Sequence, residues 1–327
     1  MLIVNKLTVS TKHHIGSINI LEDINFELER GKSLGLVGES GCGKSIMALS
    51  IMGLLPESMI ASGEVLLGKN LLHLSEKEFC KVRGNKISMI FQEPMTALNP
   101  VLSIGFQVAE CLRIHKKYTR HQAQKEASKI LSRVGLPSQK FSSSIFPHQL
   151  SGGQRQRVVV AIAIACKPEL IIADEPTTSL DVTIQKQILD LISELVYEEK
   201  MSLILITHDL GVVAENTDNM MVMYAGRIVE KGQTKNVFKK MSHPYTRGLF
   251  DSIPSYDYLN KEKNPKNDVY PNKRLSTIPG RVPEFWERSK GCNFNERCSR
   301  AKKKCSLEVP NETHLGENHF TSCFYPY

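Results

Sequence analysis

The sequence predicts an α/β protein organised around a parallel sheet, and three observations carry that prediction. A compact apolar run, Leu34–Val37, meets a glycine-rich loop and then a helix from Lys44. Two further apolar runs, Leu170–Ala173 and Leu203–Ile206, flank a stretch whose apolar residues recur at helical spacing. Strand, crossover helix and strand form the unit of a parallel sheet, which takes its ligands at the carboxyl edge.

The elements follow in order. Residues 1 to about 30 read as short strands, with Ile18 to Leu28 mixing Ile, Leu and Phe with polar residues before a turn at Gly31-Lys32. From about 95 to 166 the pattern is helical. Ala123, Ala127, Ile130, Leu131 and Val134 share one face and Gly135 ends the run, so a helical subdomain inserted into the core is expected. Ile184, Ile188, Leu191, Ile192 and Leu195 mark the crossover helix. Beyond about Lys239 the chain turns rich in Pro, Lys and Asn, and Asn260 to Asn272 reads as an exposed linker. The expected division is a main domain over 1–238 and an extension over 239–327.

A chain of 327 residues with 41% hydrophobic and 23% charged residues suits a large soluble domain with additions. Its longest apolar run, Val158 to Cys166, falls well short of the roughly 20 residues that span a bilayer. The first residues lack the charged-then-apolar plan of a secretory signal, so any membrane role is expected to be peripheral. The net charge of +8 admits anionic lipid, nucleic acid or nucleotide phosphates, but no nucleic-acid motif accompanies it.

Gly38, Glu39, Ser40, Gly41, Cys42, Gly43, Lys44 and Ser45 fit the phosphate-binding pattern G-x-x-x-x-G-K-S. Glycines let backbone N–H groups turn around a β-phosphate at a helix start, Lys44 adds a point charge, and Ser45 offers a hydroxyl to Mg²⁺. Asp174 ends the apolar run Leu170–Ala173, where it can hold the Mg²⁺ shell, and Glu175 beside it can orient an attacking water. Four of the eight cysteines crowd the tail as C-x5-C-x6-C-x17-C: Cys292, Cys298, Cys305 and Cys323. Without an export signal a metal is expected before disulfides. Close C-x2-C pairs are missing, and four thiolates suit a [4Fe–4S] cluster as well as zinc, with free or disulfide-linked cysteines also open.

The run Leu150-Ser151-Gly152-Gly153-Gln154-Arg155-Gln156-Arg157 resembles the L-S-G-G-Q signature of the ATP-binding cassette (ABC) family. The resemblance implies an antiparallel N-terminal β subdomain, a RecA-like parallel core and an inserted helical subdomain. It implies that Ser151, Gly152, Gly153 and Gln154 serve the ATP held by a partner subunit, as a second helix start facing phosphate. Gln92, in Phe91-Gln92-Glu93-Pro94, is similar to the family's Mg²⁺-sensing glutamine, and His208 to its γ-phosphate histidine. Ser179-Leu180-Asp181 resembles the loop that communicates across the dimer. One departure stands out: Ser10–His14 carries no Phe, Tyr or Trp where the family stacks an aromatic ring on adenine, leaving His13 or His14.

His243–Leu249, Ile278–Pro283, Gly291-Cys292 and Phe91–Pro100 resemble the oligopeptide and dipeptide importer ATPases, above all the D-type subunits of dipeptide permeases. Nickel importers share this extension. That resemblance implies an F-type ATPase partner, two transmembrane permease subunits, an extracytoplasmic substrate-binding protein and a peripheral place on the cytoplasmic face of the inner membrane. It also implies a [4Fe–4S] cluster on the four tail cysteines, expected to lie remote from the ATP site, although Glu296 stands where the family often has Pro before Arg297-Cys298. ABC ATPases of DNA repair, chromosome organisation or translation typically carry long coiled coils or two cassettes; this sequence has one cassette and no sustained heptads.

Overall fold

The computed structural model describes residues 1–13, 16–178, 180–252 and 277–327, without the side chains of residues 13, 94 and 95. His14, Ser179 and the expected linker Asn260–Asn272 lie outside the described residues. Two antiparallel strands open the chain, β1 (Leu2–His13) and β2 (Gly16–Leu28), longer than the short strands expected. Register shifts between Val4 and Leu7 and again at Val9, with left-handed backbone at Lys6 and Asp23, reset which side chains face the core. Each shift breaks the alternation that would mark one long strand.

Strand β3 (Ser33–Val37) enters the main sheet and α1 (Lys44–Ile51) follows. Strands β4 (Met59–Leu67) and β5 (Lys69–Asn70) return to β1, closing an antiparallel sheet ordered β2-β1-β4-β5. Helix α2 (Glu76–Val82) and strand β6 (Ile87–Ile90) lead to the insertion. Its helices are α3 (Pro94–Ala97), α4 (Ile104–Lys116), α5 (Arg120–Arg133) and α6 (Gly152–Ile164). Helix α5 begins at a Thr119–Gln122 capping box and stops where Gly135 takes φ 83°, as its spacing predicts.

The parallel core then continues as β7 (Leu170–Asp174), α7 (Val182–Glu198), β8 (Ser202–Ile206), α8 (Leu210–Asn216) and β9 (Asn219–Tyr224). Every residue of β6, β7 and β8 is buried, because the sheet is covered on both faces there, up to its edge strand β6. Strand β10 (Arg227–Gln233) pairs antiparallel with β9.

Helices α9 (Thr234–Lys239) and α10 (Pro244–Asp251) precede the undescribed segment. After it come α11 (Lys303–Leu307) and the hairpin β11 (Thr313–Gly316) and β12 (His319–Thr321). Strand β12 sets His319, Phe320 and Thr321 opposite Gly232, Lys231 and Glu230 of β10. The main sheet therefore has the order β11-β12-β10-β9-β3-β8-β7-β6 and runs across residue 238. Among the described residues no helix is long and apolar enough to cross a membrane.

Three apolar clusters hold these layers: one under the helical insertion, one between the antiparallel sheet and α1, and one around β9, β10 and α10. The third includes Phe294, whose ring lies 5.0 Å from that of Tyr224 and 5.3 Å from that of Tyr245. Fully burying such a ring contributes on the order of 1.5–3 kcal/mol. A polar joint adds to it. The Glu230 carboxylate, 0% exposed, accepts the N–H groups of Ser242 (2.7 Å) and His243 (2.9 Å) and faces His319 Nε2 at 2.7 Å. Three partners satisfy a carboxylate that would otherwise be too costly to bury.

The metal-binding extension that the sequence leads one to expect is not shown among the described residues. Cys292, Cys298, Cys305 and Cys323 do line one small gap, together with His243, Phe294 and Tyr325. Yet among the described residues no three His, Cys, Asp or Glu side chains form a group that could hold a metal ion. A tail rich in Pro, Lys and Asn has little apolar content of its own to bury. Even so, Phe294 and Cys305 are buried, Cys292 and Cys298 pack on the third cluster, and β12 borrows the sheet.

Candidate active site

The phosphate loop is shaped by what it cannot hold. A Cβ on Gly38 would stand 2.3 Å from the carbonyl oxygen of Met223, and one on Gly43, at φ 111°, 2.6 Å from Leu21 Cδ2. Only glycine lets the loop press this closely on β9 and β2. Its crest, Ser40 and Gly41, and Ser45 at the first turn of α1 remain exposed, where phosphate oxygens can meet N–H groups at a helix start. Lys44 is 6% exposed, and its Nζ donates to the carbonyls of Gly38 (2.8 Å) and Glu39 (3.0 Å). Cys42 is buried and burial pushes its thiol up, so the loop keeps a neutral side chain at that position.

Strand β7 delivers Asp174, 5% exposed, to the sheet edge. Burial raises its carboxyl, and the Ser45 hydroxyl beside it works in the opposite direction. Its Oδ1 is buried with no hydrogen-bond partner. An orphaned carboxylate oxygen next to a hydroxyl is the kind of donor set that Mg²⁺ and its waters satisfy, so these residues fit the ion.

Glu175 follows in left-handed backbone, φ 46°, held by its N–H donating to the Ile206 carbonyl at 2.9 Å. Such a strained residue at a strand end is a frequent mark of a functional position. Its Oε2 accepts from Thr178 Oγ1 at 3.0 Å and from Gln92 Nε2 at 3.4 Å, and His208 Nδ1 lies 3.5 Å away. Gln92 follows β6 and His208 follows β8, so the strands on either side of β7 bring two sequence-distant side chains to one carboxylate. The His208 side chain is 71% exposed and open to a ligand. Thr178 was not singled out from the sequence, since nothing in its spacing separates it from an ordinary turn residue.

Ser151–Gln154 opens α6 on the helical insertion, a second helix start apart from the sheet edge. Ser151 and Gln154 bond each other reciprocally, N–H to Oε1 at 2.9 Å and N–H to Oγ at 3.3 Å. Ser151 and Gly152 are exposed, and a Cβ on Gly153 would meet Ile184 Cγ2 at 2.7 Å. Asp181 caps α7 by accepting the Ile184 N–H at 3.0 Å. His14, and the side chain of His13, lie outside the described residues.

The family model of the ABC transporter matches residues 21–178, and that of the oligopeptide/dipeptide transporter C-terminal region matches residues 229–305. The dipeptide transport ATP-binding protein DppD of Bacillus subtilis is 43% identical over 327 residues, 99% of this chain and 94% of that protein. The chain belongs to the oligopeptide/dipeptide ABC transporter ATPase family. The ATPase is likewise 44% identical to the oligopeptide transport ATP-binding protein OppD of Haemophilus influenzae, over 99% of this chain and 97% of that one. Its fold is similar to that of a dimeric ATP-binding cassette, MJ0796, in a post-hydrolysis state bound to ADP and phosphate. That likeness has a TM-score of 0.63 at 28% identity and covers 72% of this chain and 99% of that chain.

In this ATPase the C-terminal region reaches the phosphate loop. Arg297 Nη1 donates to both carboxylate oxygens of Glu39, at 3.1 and 3.0 Å, and to Tyr224 Oη at 3.3 Å. Tyr245 Oη accepts the backbone N–H of Glu39 at 2.9 Å. The sequence leads one to expect the tail remote from the ATP site; the structure corrects this, because Arg297, next to Cys298, touches the loop.

Proposed function

We propose that this ATPase binds and hydrolyses ATP to power uptake of dipeptides or oligopeptides through a membrane permease. The convergence of Gln92, Glu175 and His208 beside the Gly38–Ser45 loop carries the reading. In the assigned roles, Gly38, Glu39, Ser40, Gly41, Cys42 and Gly43 form the phosphate cradle, and Lys44 leaves its loop carbonyls for the β- and γ-phosphates. Ser45, Asp174 and Gln92 would hold Mg²⁺, which when bound neutralises charge on the phosphates. Glu175 orients the attacking water and takes its proton, and His208 donates to the γ-phosphate as charge develops. Ser151, Gly152, Gly153 and Gln154 meet the nucleotide of a partner subunit, with Asp181 beside the contact.

The partners in this reading are a second, F-type ATPase, two permease subunits and a substrate-binding protein, with the chain peripheral on the cytoplasmic face. Residues 1–238 supply the ATPase domain and 239–327 the extension. The names of the relatives, DppD and OppD, favour peptide over a nickel chelate as cargo. Cells expressing the complete transporter are expected to accumulate a labelled dipeptide, and Lys44→Ala is expected to stop that uptake. Uptake of nickel that no peptide competes with, and no peptide uptake, would overturn the cargo assignment.

For the tail, a [4Fe–4S] cluster is the finer proposal, supported by four cysteines lining one gap. A lone tetrahedral ion draws four sulfurs to within about 4 Å of one another at a metal–sulfur distance near 2.3 Å, whereas a cluster takes one thiolate per iron and spaces them wider. Burial pushes the Cys292 thiol up to about 11, so without a metal it stays neutral. Protein purified anaerobically is expected to be brown with roughly four irons and four sulfides per chain. Cys298→Ser should bleach it and Cys80→Ser should not; colourless protein with four reactive tail thiols ends the proposal.

A further inference from the structure

Glu39 of the phosphate loop is held through its carboxylate, its N–H and its carbonyl. Its carboxylate takes both contacts from Arg297, its N–H donates to Tyr245, and its carbonyl accepts from Lys44 Nζ. Arg297 is itself fixed. Its side chain is 8% exposed, and Nε donates to the Pro279 carbonyl at 2.7 Å. The Tyr245 ring is fully buried against Tyr224 and Phe294, so its hydroxyl is presented from a rigid base.

Lys44 Nζ carries three N–H groups, and each one it turns to phosphate is one fewer for bracing the loop carbonyls. When it moves from the Gly38 and Glu39 carbonyls to a nucleotide, the Arg297 and Tyr245 contacts remain on Glu39, beside a longer bond of 3.4 Å from the Cys42 N–H to the Glu39 carbonyl. We propose that Arg297 and Tyr245 are positioning residues for ATP binding, through which the C-terminal region sets the geometry of the phosphate loop. The inference rests on the ATP-binding reading above. It predicts an effect on nucleotide affinity rather than on the chemical step, because neither side chain reaches Glu175, Gln92 or His208 through a hydrogen bond. Loop order that must be recovered on binding is subtracted from affinity, and holding it beforehand removes that loss.

The test is the dissociation constant of a fluorescent ATP analogue with Mg²⁺ on the full-length chain, alongside turnover of the assembled transporter. Hydrogen bonds from a charged donor are worth enough that Arg297→Met is expected to weaken binding about tenfold. Tyr245→Phe, which keeps the buried ring and removes one neutral hydrogen bond, is expected to weaken it about threefold. Turnover at saturating ATP should stay within about twofold of wild type for both. Glu39→Gln combined with Arg297→Met should bind no worse than Arg297→Met alone, since both remove one contact. Arg281→Met, which loses only the Glu287 contact inside the same region, should bind as wild type. Wild-type affinity in both Arg297→Met and Tyr245→Phe overturns the inference. So do losses that multiply in the double variant, or an equal loss in Arg281→Met, which would mean general loosening. A wild-type chain that fails to bind the analogue refutes the ATP reading itself, a distinct result.

Discussion

Exchange of Glu175 for Gln leaves ATP bound and lowers its hydrolysis by about 10²-fold or more, the usual effect of removing a general base. The cradle is untouched, because Lys44, Ser45 and Asp174 do not hydrogen-bond through Glu175. The backbone is untouched as well: the left-handed turn at Glu175 is fixed by its N–H to Ile206, which Gln reproduces. Gln can still meet Thr178 and Gln92, so the pocket keeps its shape and loses a charge and a proton acceptor. Phosphate release by the purified transporter, measured beside nucleotide binding, separates the two effects. Turnover within about threefold of wild type would remove Glu175 from the role of base.

The second large effect is expected at Ser151. Ser151→Arg should abolish hydrolysis in the assembled ATPase while the isolated chain binds ATP as before. Ser151 is exposed and caps α6, so Arg can be accommodated sterically. Losing the cap costs about 0.5–2 kcal/mol of helix stability, too little to unfold the cassette. What changes is the helix start offered to a partner's nucleotide, now covered by a long side chain. Ser151→Asn keeps a capping side chain and is expected to retain more turnover than Ser151→Arg, which separates capping from contact. If Ser151→Arg also abolishes binding on the isolated chain, the signature does not act across the subunit boundary.

What the sequence disclosed follows from how locally each constraint acts. Phosphate chemistry demands fixed residue types within eight positions, so Gly38–Ser45 was legible on its own, and Leu170–Glu175 nearly so. Helix α5 was legible because its buried residues keep one period from cap to cap. Gln92 and His208 came through the family resemblance alone; no spacing rule joins them to Glu175, which only the order of adjacent strands achieves. The lengths of β1 and β2 were hidden by bulges, and β12 by having three residues, too few to show a period. Arg297 was not legible for a different reason. Its partner Glu39 lies 258 positions away, and no local pattern joins an arginine in the tail to the phosphate loop.

The pairing of β12 with β10 also dictates when the molecule can be finished. Until His319–Thr321 arrives, β10 offers open backbone on the side away from β9, and a free edge invites pairing with another chain. Glu230 waits 89 positions for His319, which at typical rates of synthesis is on the order of 4–18 s. For that interval the nascent cassette carries both an unpaired strand and a buried acid without its imidazole. Once the hairpin docks, the outermost strand becomes the four-residue β11, a shorter target for unwanted association than the seven-residue β10 it shields.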